Sequence, residues 1–197
     1  MIDDVIIIDD AIPKEKQLEI EDLCVSLSFP WVYSPGTISS SDIKKYNLAV
    51  SDLAINTPQM CSEMYVDQAI ANPMCLAFVP VISAIPFTID TLIKVKINLT
   101  MPAAGVTPDM YGIPHTDFPN VPNNVTAIYY ITESDGDTII FNQVQGQSGP
   151  LTERTRVKPK QGRLVVFGGN RIHAGTNPTT NTPRIVANIN FIPYFKD

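Results

Sequence analysis

Hydrophobic and polar positions change rhythm near Pro86. Downstream of it, short stretches rich in Val, Ile, Tyr and Phe recur between turn signals, the layout of a β sandwich or barrel. Ile93, Val95, Ile97 and Leu99 alternate with Lys94, Lys96, Asn98 and Thr100, a period of two that predicts a strand with one apolar face. Further strands are expected over Val125 to Thr132, Asp137 to Phe141, Arg163 to Phe167 and Arg184 to Phe191. Ser134-Asp135-Gly136 reads as a hairpin turn between the first two of these, and Lys160-Gln161-Gly162 as a turn before the third.

Upstream the pattern is sparser. Val5 to Ile8 is a short apolar run that predicts a strand, and Pro13 suits the first turn of a helix whose stripe is Ile20, Leu23, Cys24 and Leu27. From Phe29 to Leu48, Pro30, Pro35, Gly36 and Ser39-Ser40-Ser41 read as loop, with Trp31 as a core or edge anchor. Thr57-Pro58 looks like a cap followed by proline, and Cys61, Met64 and Tyr65 at helical spacing predict a second helix to about Ala71. Pro73, Pro80 and Pro86 then cut the chain into short pieces, the second of them expected to be helical. Helices first and strands afterwards predict a mainly β, α+β domain whose helices brace one face of a sandwich.

Composition limits the function. The 197 residues, 44% hydrophobic and 17% charged, suit one domain with a sizeable core. A formal charge of -6 with scattered basic residues argues against nucleic acid as a partner, since phosphate binding needs clustered Lys and Arg. No apolar run reaches a membrane span and the acidic start is unlike a signal peptide, so the expectation is a soluble, cytoplasmic protein. Cys24, Cys61 and Cys75 form no CxxC pair and read as reduced thiols.

The chain contains two histidines, and His115 stands two residues before Asp117. In an extended segment such residues point the same way, so an imidazole and a carboxylate can meet one ion, with His173 arriving from a distant strand. Two His and one carboxylate leave coordination positions open, as iron(II) enzymes that activate oxygen require. Arg184, eleven residues past His173, offers a fork of donors that matches a carboxylate. Arg184, Val186, Asn188 and Asn190 share one face of the last strand, and Ile185, Ala187, Ile189 and Phe191 the other, which suits a ligand-holding barrel.

These residues, with Thr126-Ala127-Ile128-Tyr129-Tyr130-Ile131, Asp135-Gly136-Asp137-Thr138 before Phe141, and Pro159-Lys160-Gln161-Gly162-Arg163 before Phe167, resemble the 2-oxoglutarate and iron(II)-dependent dioxygenases. Within that superfamily the order and spacing over roughly residues 94 to 192 are similar to the prolyl 4-hydroxylase-like branch and its phage and bacterial relatives. The resemblance implies a double-stranded β-helix, or jelly roll, from residue 91 to 195, supported by helices and a strand in residues 1 to 90. It implies His115, Asp117 and His173 as iron ligands and Arg184 on the far carboxylate of 2-oxoglutarate. Tyr130 falls where relatives offer that carboxylate a hydroxyl; Asn98 and Asn190 are added from their inward direction. The implied cofactors are Fe(II), 2-oxoglutarate and O2, with ascorbate as an accessory reductant. Because Asp117 is retained where halogenating relatives lack the carboxylate, hydroxylation is the implied outcome. Asp135-Gly136-Asp137 departs from the fuller Gly-Gly pair of the branch, and residues 100 to 114 give no clear co-substrate contacts.

Plainer readings stand beside these. Arg184 alone would read as a surface ion pair and Tyr130 as an aromatic strand residue. Tyr129 should pack away from Tyr130, and Met60, Met64, Met74 and Cys75 should fill core gaps. Lys94 and Lys96 face either solvent or substrate. The leading expectation is hydroxylation of an unactivated carbon, in a peptidyl proline or another amino-acid side chain of a peptide or protein. Oxidative demethylation of nucleic acid and a non-catalytic cupin-like module are the alternatives.

Overall fold

The computed structural model describes residues 2–37, 52–147 and 149–194. Its strands are β1 (Ile6–Ile8), β2 (Val32–Ser34), β3 (Ala54–Ile55), β4 (Gln59–Val66), β5 (Ala69–Ile70), β6 (Ile89–Thr100), β7 (Tyr111–Gly112), β8 (Val125–Tyr130), β9 (Thr138–Val144), β10 (Glu153–Val157), β11 (Leu164–Gly168), β12 (Arg171–Gly175) and β13 (Arg184–Pro193). Helix α1 spans Lys14–Val25, and a 3-10 segment, Pro73–Phe78, leads into α2, Val79–Ser83.

A large antiparallel sheet runs β1-β11-β8-β13-β6-β4-β2, and a smaller one β10-β9-β12; β3 and β7 pair in parallel beside them. The expected jelly-roll fold is observed. Period-two alternation gives the central strands two functions. Val125, Ala127 and Tyr129 of β8, and Ile185, Ala187, Ile189 and Phe191 of β13, pack into the core cluster that also takes in Ile20 and Cys24 of α1 and Phe78 and Val81 of the second helical segment. On the opposite face Ile128, Tyr130, Val165, Phe167 and Val186 meet Ile140 and Val157 of the small sheet. The supporting helices thus cover one face of the large sheet, leaving the other free to enclose a site.

Four expectations need correction. Residues 59–66 form strand β4 rather than a helix, pairing with β6 through Met60↔Leu99 and Ser62↔Ile97. A register shift between Glu63 and Tyr65 breaks the alternation, and Met64 is buried, so Cys61, Met64 and Tyr65 imitate helical spacing. Ser134-Asp135-Gly136 joins no hairpin, because β8 lies in the large sheet and β9 in the small one. Gly136 serves a close approach instead: a Cβ there would lie 2.8 Å from the Thr176 carbonyl oxygen and 3.0 Å from Cδ of Arg184. Leu27 lies beyond the end of α1 and is fully exposed, not part of its apolar stripe. In the expected loop after Phe29, residues 32–34 form the edge strand β2, while Ser39-Ser40-Ser41 lies outside the described residues. Trp31 packs against Phe29 with ring centroids 4.6 Å apart and donates to the Cys24 carbonyl at 3.1 Å, the anchoring expected of it. Cys24 and Cys75 are buried free thiols and Cys61 is partly so. Among the described residues no helix is long and apolar enough to cross a membrane.

Candidate active site

His173 lies on β12, and His115 belongs to a short extended stretch that pairs with it as an isolated antiparallel bridge. The two imidazoles stand 4.8 Å apart, and Phe167 packs edge-on against His173 at 5.1 Å. Nδ1 of each ring faces a carbonyl two residues earlier, His115 to Ile113 at 2.8 Å and His173 to Arg171 at 3.2 Å. With Nδ1–H donated there, each Nε2 presents its lone pair to the centre, the usual way an outer hydrogen bond fixes a ligand tautomer. Both Nε2 atoms lie 3.7 Å from the Asp117 carboxylate, one from each oxygen. The three side chains form one group able to hold a metal ion.

Asp117 is gripped from behind. Asn188 Nδ2 lies 3.2 Å from both carboxylate oxygens, Asn190 Nδ2 donates to Oδ2 at 3.0 Å, and Thr126 Oγ1 reaches the same oxygen at 3.3 Å. Burial alone would raise the pKa of Asp117, but His173, His115 and the two amides outweigh it and hold the carboxyl below its ordinary value. Burial, reinforced by His173, pulls His115 down to about 4 against the opposing pull of Asp117. An ionised carboxylate and a neutral imidazole are the forms that ligate metals.

The triad opens onto a cavity of about 330 Å³ between the two sheets. Its far wall is Arg184, only 6% exposed, whose Nη2 donates to Thr138 Oγ1 at 2.7 Å. The Tyr130 hydroxyl donates to the same Thr138 oxygen at 2.6 Å, and the guanidinium sits 5.7 Å from the centre of the Tyr130 ring. Thr138 therefore accepts twice and keeps its own proton to give. Nε of Arg184 is buried with no hydrogen-bond partner among the described residues. Burial lowers the Arg184 pKa, yet a guanidinium keeps its charge in proteins, so this buried cation calls for an anion. Burial likewise raises Tyr130, keeping its phenol protonated.

The structure brings His115, Asp117, His173 and Arg184 to one cavity, with Asn98 and Asn190 also in its wall. Asn190 is turned onto Asp117, and Tyr130 stands behind Thr138 and Arg184 rather than in the lining. Tyr129 faces the opposite core, as expected. Lys94 and Lys96 both line the cavity. Asn188, Thr126 and Thr138 were given no role by the sequence, although period two places Asn188 between Arg184 and Asn190, and Thr126 on the Tyr130 face of β8.

Residues 106–192 match the family model described as 2OG-Fe(II) oxygenase superfamily. Among solved structures, the non-heme alpha ketoglutarate dependent epimerase SnoN from nogalamycin biosynthesis aligns with a TM-score of 0.62 and 10% identity, over 96% of this chain and 77% of that one. A prolyl hydroxylase from Trichoplax adhaerens, in complex with a hypoxia inducible factor degradation-domain peptide, aligns at 0.60 and 16% identity, over 96% and 83%. A 2OG-Fe(II) oxygenase family oxidoreductase from Burkholderia pseudomallei aligns at 0.60 and 12%, over 95% and 84%. At such identities the structural likeness is one of fold. No curated protein matches the chain by sequence. The family match over residues 106–192 and the His-Asp-His group support a 2OG-Fe(II) oxygenase, an oxidoreductase of the kind that uses Fe(II), 2-oxoglutarate and O2.

Proposed function

We propose that this dioxygenase hydroxylates an unactivated carbon of an amino-acid side chain, free or within a peptide, with each named residue in a defined role. His115 and His173 would hold iron(II) through Nε2 and Asp117 through a carboxylate oxygen, two imidazoles and one carboxylate being a donor set that suits this ion. Arg184 receives the distal carboxylate of 2-oxoglutarate in a two-point pair, and the free Thr138 proton reaches the same group. Tyr130 supports Arg184 and Thr138 from behind. Iron with 2-oxoglutarate supplies the oxidising chemistry, in which substrate C–H, O2 and 2-oxoglutarate become C–OH, succinate and carbon dioxide. Asn188, Asn190 and Thr126 fix the Asp117 carboxylate so that it does not rotate during turnover. Phe118, Ile128 and Val186 provide an apolar part of the cavity wall, which limits water near the reacting carbon.

The observation that carries this reading is the His-Asp-His group and a buried arginine facing one cavity. Retention of Asp117 supports hydroxylation, and the peptide bound to the Trichoplax prolyl hydroxylase supports a peptidyl or amino-acid substrate. Nucleic acid fits poorly, since among the described residues Phe118 is the one Phe, Tyr or Trp ring in the lining and the chain carries a charge of -6. Purified protein with iron(II), ascorbate and 2-oxoglutarate should form succinate slowly without a prime substrate, and His173→Ala should abolish this. Equal succinate formation by the variant would reject the assignment.

A further inference from the structure

We propose that the prime substrate is a small free amino acid, its carboxylate taken by Lys96 and its ammonium by the side-chain oxygens of Asn98 and Asn188; this rests on the function proposed above. The cavity lining carries three cations, Lys94, Lys96 and Arg184, against one carboxylate, Asp117. Lys94 is neutralised by Glu63, Nζ to Oε1 2.8 Å. With iron(II) and 2-oxoglutarate in place, the dication, Arg184, Asp117 and the diacid cancel. Lys96 then remains. It lines the cavity, is partly buried, and makes no hydrogen bond or ion pair among the described residues. Glu63, the register partner of Lys96 on β4, feels both lysines but is bound by Lys94, so two ammoniums share one carboxylate, and in a chain of net charge -6 this excess positive charge beside the reaction centre marks a place for an anion.

Beside Lys96 stand two acceptors that lack donors. Asn98 is two residues along the same face of β6, and Asn188 on β13 is the register partner of Lys96. Oδ1 of each is buried without a hydrogen-bond partner among the described residues. For Asn188 the orientation is settled, because its Nδ2 is committed to Asp117. A buried carbonyl oxygen without a donor is unfavourable, so a ligand that brings N–H groups is favoured there. One cation and two adjacent acceptors suit the carboxylate and ammonium of a zwitterion, charges that an internal peptide residue has lost. The volume agrees, since about 330 Å³ lies at the low end of ligand pockets and 2-oxoglutarate takes part of it.

The test uses full-length protein loaded anaerobically with iron(II) and saturating 2-oxoglutarate, with glycine, acetate and glycinamide as probes. Binding is read as a change in the visible iron-to-2-oxoglutarate absorption. Glycine should perturb the band saturably, acetate more weakly, and glycinamide least. Lys96→Met should weaken glycine about ten-fold or more, the scale of a charge-assisted hydrogen bond, and Lys96→Arg should restore much of it. The affinity for 2-oxoglutarate in Lys96→Met, set against that of Arg184→Ala, separates the sources of carboxylate. If Lys96→Met weakens 2-oxoglutarate as Arg184→Ala does, Lys96 belongs to the co-substrate and the proposal falls while the proposed function stands. Absence of saturable glycine binding, or equal glycine binding by wild type and Lys96→Met, also overturns it. Failure of iron and 2-oxoglutarate to give the band in wild type would instead count against the proposed function.

Discussion

His115 and His173 are joined through their main chains: the His115 N–H donates to the His173 carbonyl at 3.0 Å, and the His173 N–H donates back at 2.9 Å. Two candidate ligands far apart in sequence are thus held in one sheet before any metal arrives, so their imidazoles need little reorganisation. Replacing either side chain leaves this backbone pair intact. His115→Ala and His173→Ala should therefore stay folded, while losing the thermal stabilisation that iron(II) gives the wild type. At a metal concentration a hundred times Kd that stabilisation is about 2.7 kcal/mol, measurable by thermal unfolding with and without metal.

Arg184→Ala should weaken 2-oxoglutarate by about 3 kcal/mol, roughly two orders of magnitude in Kd, as expected when a buried charge loses its partner. Thr138→Val removes the oxygen that accepts from both Tyr130 and Arg184. Its expected effect is smaller, about ten-fold, because the guanidinium remains but is no longer aimed. Calorimetric titration of metal-loaded protein compares the two.

Asn190→Ala removes one of the donors that fix Asp117 and should lower metal affinity about ten-fold or more, the usual consequence of losing an outer-shell partner. A competitive metal chelator reads the change. Asn190→Asp should be worse than alanine, because a second carboxylate replaces the donor with repulsion.

Residues 92–100 and 184–191 were legible in the sequence because both strands separate a packed apolar face from a polar ligand face, so alternation survives in the amino acids. The triad was legible because the chain has two histidines and each lies in a distinctive spacing. Strand β4 was not, since the bulge after Glu63 and partial cover on both faces erased its period. Asn188 and Thr126 were hidden for another reason: their roles exist only through Asp117, which reaches them across 71 and 9 residues. The Ser134 to Gly136 crossing misled because Asp-Gly suits a hairpin equally well, and only the topology shows that the glycine makes room for Thr176 and Arg184.

That crowding gives its own expectation. Gly136→Ala places a Cβ against the Thr176 carbonyl and the Arg184 stem. Relief of the clash should cost about 1–3 kcal/mol of stability and displace Arg184. A lower urea midpoint accompanied by weaker 2-oxoglutarate binding would show both effects; a lower midpoint with unchanged binding would confine the effect to the backbone.

Metal-free protein should lose stability as pH falls. His115 sits at about 4 in the fold against 6.5 when unfolded, so the unfolded chain takes up its proton first. Its contribution is complete above pH 6.5 and falls by about 3 kcal/mol as pH drops towards 4. Asp135, held at about 2 by Thr179 and Thr180 against burial, and Asp9, held at about 2 by Arg163 and Lys160, act in the same direction but lower, between pH 3.8 and 2. Urea midpoints from pH 7.5 to 4.5 isolate the histidine. Unchanged stability across that window would contradict a buried neutral His115.

The most direct test of the central claim is anaerobic titration of 2-oxoglutarate into iron(II)-loaded protein, followed by visible absorption. Wild type should give a saturable band at one equivalent, His173→Ala none, and Arg184→Ala the same band at roughly a hundred-fold higher concentration. A band of equal strength and midpoint in all three proteins would contradict the assignment of iron to the triad and of the diacid to Arg184.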